Sequence, residues 1–429
     1  MTTLKQKISA KTARVAVIGL GYVGLPLALA IRDAGFFVYG IDTDRKKITL
    51  LKEKKSYIDD ITDAQVKDAI NSRAFEPTDS FVALRSADIV IIAVPTPLNK
   101  YKVPDLKYIE KAAQSASLHL HKNQLIILES TTYPGTTEEV VLPLLKQSSK
   151  NRALIVGRDF YLAFSPERVD PGNKQFTIKN TPKVVGGVTR NCAKIAQHFY
   201  SKVIQIVVPV SSAKSAEMTK LLENIFRIVN ISMINELALL ADKMDIDIWE
   251  VIQAAATKPY GFMPFYPGPG IGGHCISTDP FYLSYKAREY GFFTRFIDLA
   301  GEINELMPHF VVTKVDAALN YTQKKSINGS RILILGVSYK KDIKDTRESA
   351  AYAIAEMLRK KGAELAFFDP YIKNFVINQE NSASINIPAL KKLTKQSIAR
   401  YNAVLIITDH TEKSLGVEYD TIAKWAKTI

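Results

Sequence analysis

The sequence is poor in cysteine, with only Cys192 and Cys275 in 429 residues. Two thiols cannot build a disulfide framework, so a reducing compartment is expected. Long apolar runs are also lacking. No stretch reaches the ~18 uninterrupted apolar residues that a membrane helix needs. The opening MTTLKQKISAKTAR is polar and has no signal-peptide core. A cytoplasmic protein that stays off the membrane is the expectation. No second histidine or cysteine stands at ligand spacing from His274 or Cys275, so no metal is expected. Zinc-finger spacing, RNA-recognition signatures and alternating basic and aromatic platforms are missing too, which argues against nucleic acid. Positive charge is what the chain has in excess, 57 Lys+Arg against 43 Asp+Glu, a formal +14. That favours anionic partners without choosing among nucleic acid, acidic lipid and a phosphorylated metabolite. A solvated lysine-rich surface accounts for single runs such as Arg45-Lys46-Lys47.

At ~100–200 residues per domain, this length predicts two or three domains. Residues 15–19 (VAVIG) read as a strand, Leu25 to Ala34 as a helix and Phe37 to Ile41 as a second strand ending at Asp42. Three further apolar strands follow. Ile89 to Val94 stops at Pro95, Leu125 to Leu128 stops at Glu129-Ser130-Thr131, and Tyr161 to Phe164 stops at Ser165-Pro166-Glu167. Short apolar strands separated by helical segments predict a parallel sheet covered on both faces. Ligands in such sheets sit beyond the carboxyl ends of the strands, where these polar loops lie. Ser215 to Met244 has neither proline nor glycine and predicts one long helix, a connector and dimer interface. After Asn328-Gly329, strands at Arg331 to Gly336, Leu365 to Phe368 and Ala403 to Ile407 repeat the first layout without its glycine fingerprint. The expected fold class is α/β, with two Rossmann-like doubly wound domains joined by a long central helix and a helical middle domain. The expected boundaries are 1–211, 212–310 and 311–429.

Gly19-Leu20-Gly21-Tyr22-Val23-Gly24 is G-x-G-x-x-G, set between a predicted strand and helix, with Asp42 closing the next strand. In that context the glycines allow a tight turn and bring backbone N–H groups to a pyrophosphate at the helix N-terminus. Asp42 can accept from both ribose hydroxyls and would repel a 2′-phosphate, which points to NAD over NADP. Lys47 is near enough to help at the adenosine end, or is a surface lysine. The loop Pro267 to Asp279 holds glycines packed around His274-Cys275, and so many glycines expose backbone N–H groups. A thiol directly after them, with a carboxylate four residues on, fits a nucleophile. Cys192, without such a setting, reads as a buried small hydrophobe. His274 reads as a base or ligand, or as structural. Lys220, Asn224 and Arg227 stand at i, i+4 and i+7 of the long helix, as a site wall or as a solvated stripe.

Together these segments resemble the UDP-glucose/GDP-mannose dehydrogenase family over nearly the whole chain. The blocks are IGLGYVGLP (18–26), VPTP (94–97), ESTTYPGTT (129–137), FSPERVDPGN (164–173), KVVGG (183–187), AEMTKLLENIFRIVNISMINEL (216–237), PGPGIGGHCISTDP (267–280) and YKKDIKDTRES (339–349). Within the family they are most similar to the UDP-N-acetylhexosamine 6-dehydrogenases, UDP-N-acetylglucosamine 6-dehydrogenase above all. Pro171 stands where UDP-glucose enzymes carry a second glutamate, and Lys258-Pro259-Tyr260 differs from the His-Pro-Arg of mannosamine enzymes.

The resemblance implies an NAD-binding first domain, a central dimerisation domain and a UDP-sugar-binding third. It implies Cys275 as nucleophile, Lys220 as acid/base, Asn224 as oxyanion donor and Asp279 as the residue tuning Lys220 or a relay water. Glu167 and Thr131 would serve the hydrolytic water. Glu167, Arg168, Val169, Lys220, Asn224, Arg227, Tyr266, Gly272 and Lys340 would meet substrate. NAD would meet Gly19, Gly21, Tyr22, Val23, Gly24, Asp42, Lys47, Thr96, Thr131 and Arg347. The implied reaction takes a sugar C6 alcohol to a carboxylate with two NAD, through a thiohemiacetal and a thioester on Cys275. UDP-glucose, UDP-N-acetylgalactosamine or UDP-N-acetylmannosamine remains an alternative substrate. A two-electron dehydrogenase of the 6-phosphogluconate type and a non-catalytic binding module are the other classes. Family members usually continue past the helix matching Thr421 to Lys427 into a strand and Asp-x-Arg, whereas this sequence stops at Ile429.

Overall fold

The computed structural model describes residues 2–58, 60–99, 102–168, 175–273, 276, 278–379 and 382–428. The chain forms two compact units, Met1–Glu223 with Phe281–Phe292, and Asn224–Pro280 with Phe293–Ile429.

Among the described residues the first unit is built on eight strands. They are β1 (Arg14–Ile18), β2 (Phe37–Ile41), β3 (Phe75–Thr78), β4 (Ile89–Ile92), β5 (Leu125–Leu128), β6 (Tyr161–Phe164), β7 (Lys183–Gly187) and β8 (Val207–Val210). Their order is β3-β2-β1-β4-β5-β6-β7-β8. The first six run parallel, in the 3-2-1-4-5-6 order of a dinucleotide-binding fold. β7 turns antiparallel to β6, so the sheet is not parallel throughout as the sequence predicts. Successive side chains of each central strand enter opposite cores. Val15, Val17, Ile89 and Ile91 join one, and Ala16, Ile18, Val90 and Ile92 the other. This two-sided burial is why these strands read as unbroken apolar runs.

The second unit carries a parallel three-stranded sheet in the order β10-β9-β13, from β9 (Arg331–Leu335), β10 (Glu364–Phe368) and β13 (Ala403–Ile406). Ile332 and Ile334 face one core and Leu333 and Leu335 the other, so this sheet too is covered on both sides. An antiparallel pair, β11 (Phe375–Gln379) and β12 (Ser382–Ile387), forms a separate two-stranded sheet that the sequence does not predict.

The helix Ala213–Lys243 matches the predicted connector to within two residues. By length and composition it could cross a membrane, but Glu217, Lys220, Asn224 and Asn235 are buried polar positions along it. Its exposed apolar side chains, continuing just past its end, fall at Leu222, Phe226, Met233, Leu237, Leu240 and Met244.

Candidate active site

The glycine turn is as tight as its spacing predicts. Gly19 has φ +94°, a region favouring glycine, and a Cβ there would run into the Ala93 carbonyl. A Cβ on Gly24 would strike the Gly19 carbonyl, so that glycine sets how closely the turn meets the helix. Gly21 differs, since nothing lies within 4 Å of the Cβ it lacks. The helix Gly24–Asp33 behind it has Val23 at its N-cap and no side-chain cap, so its positive end is left for a ligand. Tyr22 is exposed beside it. Asp42 is buried and takes Leu20 N–H on Oδ2 at 2.9 Å and Asp44 N–H on Oδ1 at 2.9 Å. Lys47 Nζ lies 3.0 Å from Asp42 Oδ2, which ties that lysine to the end of the second strand. The open space at Gly21, the uncapped helix and the buried carboxylate fit the pyrophosphate and ribose of a dinucleotide.

Further along the strand ends, Thr96 Oγ1 donates to the Thr131 carbonyl at 2.8 Å, joining the β4 and β5 loops. Glu167 Oε1 accepts Arg168 N–H at 2.7 Å. The Arg168 guanidinium pairs with Glu223 at 2.6 Å and donates to the Pro182 carbonyl at 2.7 Å, so an expected substrate contact is anchored within its own unit. Lys220 is buried, and no ion pair or hydrogen bond links its ammonium to another described residue.

In the second unit, Asn224 Nδ2 donates to Asp279 Oδ2 at 2.6 Å, with both residues buried. Arg227 is exposed, so the expected stack of three breaks after Asn224. Burial continues beyond it at Ile228, Ser232 and Asn235, so Arg227 lies at the edge of the buried side, a width that the 3.6 period does not fix. A Cβ on Gly272 would come 2.7 Å from Tyr339 Cβ and 2.8 Å from the Glu348 carbonyl. Gly273 N–H donates to the Arg347 carbonyl at 3.0 Å. Gly272 and Gly273 therefore pack against the segment carrying Tyr339 and Arg347, and the Arg347 guanidinium pairs with Asp345 at 2.7 Å. Tyr266 is half exposed and stacks on Trp249, 5.7 Å between ring centres. Cys275, His274 and Val169 lie outside the described residues.

Cys192 is fully buried, its sulfur accepting Leu162 N–H at 3.3 Å, which matches its reading as a core residue.

Glu129 and Glu217 are buried carboxylates to which the sequence reading gave no role. Glu129, at the end of β5, meets Lys183 Nζ at 3.0 Å and the Tyr200 hydroxyl, and burial pushes its carboxyl above the usual range. Glu217 accepts Gly135 N–H at 2.6 Å, Thr137 N–H at 2.9 Å and Thr137 Oγ1–H at 2.6 Å. Burial outweighs these three donors and pushes its carboxyl up to about 7. Each pairs with residues more than fifty positions away, and no local pattern announces that.

A glycine crevice at the switch point of a 3-2-1-4-5-6 sheet, with a buried acid beside it, is the layout of a dinucleotide-binding protein. The chain belongs to the UDP-glucose/GDP-mannose dehydrogenase family. Its NAD binding domain matches residues 13–204, its central domain 214–306 and its UDP binding domain 333–428. NAD is the cofactor, and the protein is a nucleotide-sugar dehydrogenase. Among curated relatives, a UDP-N-acetyl-D-glucosamine 6-dehydrogenase of Salmonella typhi is 33% identical over 94% of this chain and 92% of its own. A UDP-N-acetyl-D-mannosamine dehydrogenase of Methanocaldococcus jannaschii is 37% identical over 85% of this chain and 80% of its own. The solved structure of a UDP-D-ManNAc dehydrogenase from Pyrococcus horikoshii superposes with a TM-score of 0.85 at 32% identity, covering 96% of this chain and 93% of that one.

Proposed function

We propose that the enzyme oxidises C6 of a UDP-N-acetylhexosamine to the uronic acid, with UDP-N-acetylglucosamine as its preferred substrate. The relatives named for the glucosamine and mannosamine sugars support the class. Pro171, in place of a second glutamate, supports an N-acetylhexosamine over UDP-glucose. The observation that carries the chemistry is Lys220. Lys220 is buried as a residue, yet its ammonium is not among the atoms closed off from solvent and no described residue pairs with it, so its head group is open to a bound molecule and reads as a group held for substrate.

NAD, when bound, accepts the hydride of each of two oxidations. Lys220, acting as the neutral amine, takes the C6 hydroxyl proton, directly or through a water, and becomes the ammonium. Cys275 Sγ then adds to the aldehyde carbon, and the carbonyl oxygen gains a proton, giving a tetrahedral thiohemiacetal that still carries one hydrogen. Loss of that hydrogen as hydride, with the hydroxyl proton passing back to a base, leaves a thioester on Cys275, which water cleaves to the carboxylate and the free thiol. The Asn224 amide, oriented by Asp279, donates to the developing oxyanion, where one such donor is worth ~3 kcal/mol. The hydrogen bond to Asp279 also ties the segment just after Cys275 to the central helix. Glu167 and Thr131 attend the hydrolytic water. Arg168, Val169, Arg227, Tyr266, Gly272 and Lys340 hold the sugar nucleotide.

The exposed apolar stripe on Ala213–Lys243 is proposed to pair with a second copy, and the enzyme to reside in the cytoplasm. Light scattering would report a dimer of this chain, and a monomer at micromolar concentration would overturn that assignment. The function itself is tested by Cys275→Ser. A poorer leaving group once acylated, serine should trap an ester or stop at low turnover, and full activity would refute the role given to Cys275.

A further inference from the structure

The two crevices of this molecule repeat each other at the level of single hydrogen bonds. Gly19 N–H donates to the Ile41 carbonyl at 2.7 Å, and Gly336 N–H to the Phe368 carbonyl at 2.9 Å. Both glycines have positive φ, +94° and +75°. A Cβ on either would run into a carbonyl just past the neighbouring strand, that of Ala93 after β4 or of Thr408 after β13. The acid that follows β2 behaves like the one that follows β10. Leu20 N–H meets Asp42 Oδ2 at 2.9 Å, and Val337 N–H meets Asp369 Oδ2 at 2.8 Å. Asp44 N–H meets Asp42 Oδ1 at 2.9 Å, and Tyr371 N–H meets Asp369 Oδ1 at 2.8 Å. Asp369 is thus the counterpart of the ribose-binding Asp42.

The units part at the next step. Ser338 and Lys341 replace the second and third glycines, and no helix follows until Ala350. The place beside Asp369 is taken by His410, which is fully buried. Its Nε2 lies 3.0 Å from Asp369 Oδ2 and 3.3 Å from Ser338 Oγ. Its Nδ1 accepts Asp342 N–H at 3.0 Å. A backbone amide can only donate, so Nδ1 is unprotonated and the ring proton sits on Nε2, pointing at Asp369 or Ser338. Asp342 belongs to the loop that displays Lys340. That loop closes on itself through Tyr339 N–H to the Asp345 carbonyl at 2.9 Å, and Tyr339 is the residue against which Gly272 is packed.

We infer that His410 is a positioning residue for UDP recognition: it fills the ribose end of the second crevice and holds the Lys340 loop through Nδ1. The inference rests on the reading that this unit binds the UDP of the substrate. In this arrangement Asp369 has no room for a second dinucleotide's ribose, and nucleotide binding passes to the loop that His410 holds.

Asparagine and glutamine divide the two functions of the ring. His410→Asn can place an amide oxygen near the position of Nδ1, and His410→Gln an amide nitrogen near that of Nε2. UDP binding to the full-length chain is measured by calorimetry, with NAD binding as the internal control. His410→Asn is expected to bind UDP within about threefold of wild type. His410→Gln is expected to lose about tenfold, through KM rather than kcat, with NAD affinity unchanged. Equal UDP affinity in His410→Gln and wild type, or equal losses in both variants, would overturn the inference. Failure of wild type to bind UDP would instead overturn the nucleotide reading beneath it. If neither variant folds, the ¹⁵N resonances of the wild-type ring decide, a protonated Nδ1 at neutral pH being the contrary result.

Discussion

Glu217 sits where a carboxylate has little water, and that makes its titration a measurable part of stability. Its ordinary pKa of 4.5 is raised to about 7 by burial. A folded-state value above the unfolded one means that the folded protein holds the proton more tightly. The associated stability is therefore complete below about pH 4.5 and is lost as pH rises through about 7. At about 1.4 kcal/mol per pH unit the linkage amounts to about 3 kcal/mol, most of it lost between about pH 5 and 8. For a unit of this size that corresponds to a fall on the order of 5 °C in Tm. Other groups titrate over the same range, so the measurement is a difference. Glu217→Gln removes the ionisation but leaves an amide N–H₂ facing the donors Gly135 and Thr137, which costs stability at every pH. Thermal unfolding of both proteins from about pH 5 to 8 should show wild type losing on the order of 2 kcal/mol more than the variant. Parallel pH profiles would refute the claim that burial outweighs the three hydrogen bonds.

Other substitutions test the crevice. Gly21→Ala meets no atom within 4 Å, so it should leave Tm unchanged while weakening NAD binding about tenfold or more; unaltered affinity would remove the pyrophosphate from that spot. Gly24→Ala drives a methyl into the Gly19 carbonyl and should lower both Tm and NAD binding, as seen by calorimetry. Asp42→Asn should narrow the NAD-over-NADP ratio of kcat/KM, and an unchanged ratio would take selectivity away from Asp42. Lys220→Ala should reduce kcat far more than it raises the KM for NAD, whereas a purely structural lysine would lower Tm and leave the ratio of the two alone.

Much of the fold was legible because the central strands are buried on both faces. Leu125–Leu128 and Tyr161–Phe164 were read to the residue, since apolar runs there end abruptly at polar loops. β7 and β8 were not read as strands. KVVGG ends in two glycines and VVPV contains proline, so neither resembles a core strand in isolation. The glycine turn and Asp42 were legible because their chemistry is local, compressed into one strand–turn–helix–strand unit. Helical spacing put Lys220, Asn224 and Arg227 on one side of the helix, but it did not reveal that Arg227 falls at the exposed edge of that side while Ile228 and Asn235 beyond it are buried. Glu217 and His410 carried no signal, because their partners lie 80 and 41 or more positions away and only the folded chain brings them together. The repetition between Asp42 and Asp369 was half visible. The second unit keeps the first glycine and the acid, and the residues that replaced the other glycines hid the kinship.

The central claim is that one thiol converts an alcohol dehydrogenase into a four-electron enzyme. The most direct measurement is the amount of NADH formed per UDP-N-acetylglucosamine consumed, run beside UDP-N-acetylgalactosamine, UDP-N-acetylmannosamine and UDP-glucose. The account predicts two NADH per sugar, with the carboxylate as sole product and UDP-N-acetylglucosamine turned over fastest. One NADH per sugar, with the aldehyde or a ketone released, would contradict it.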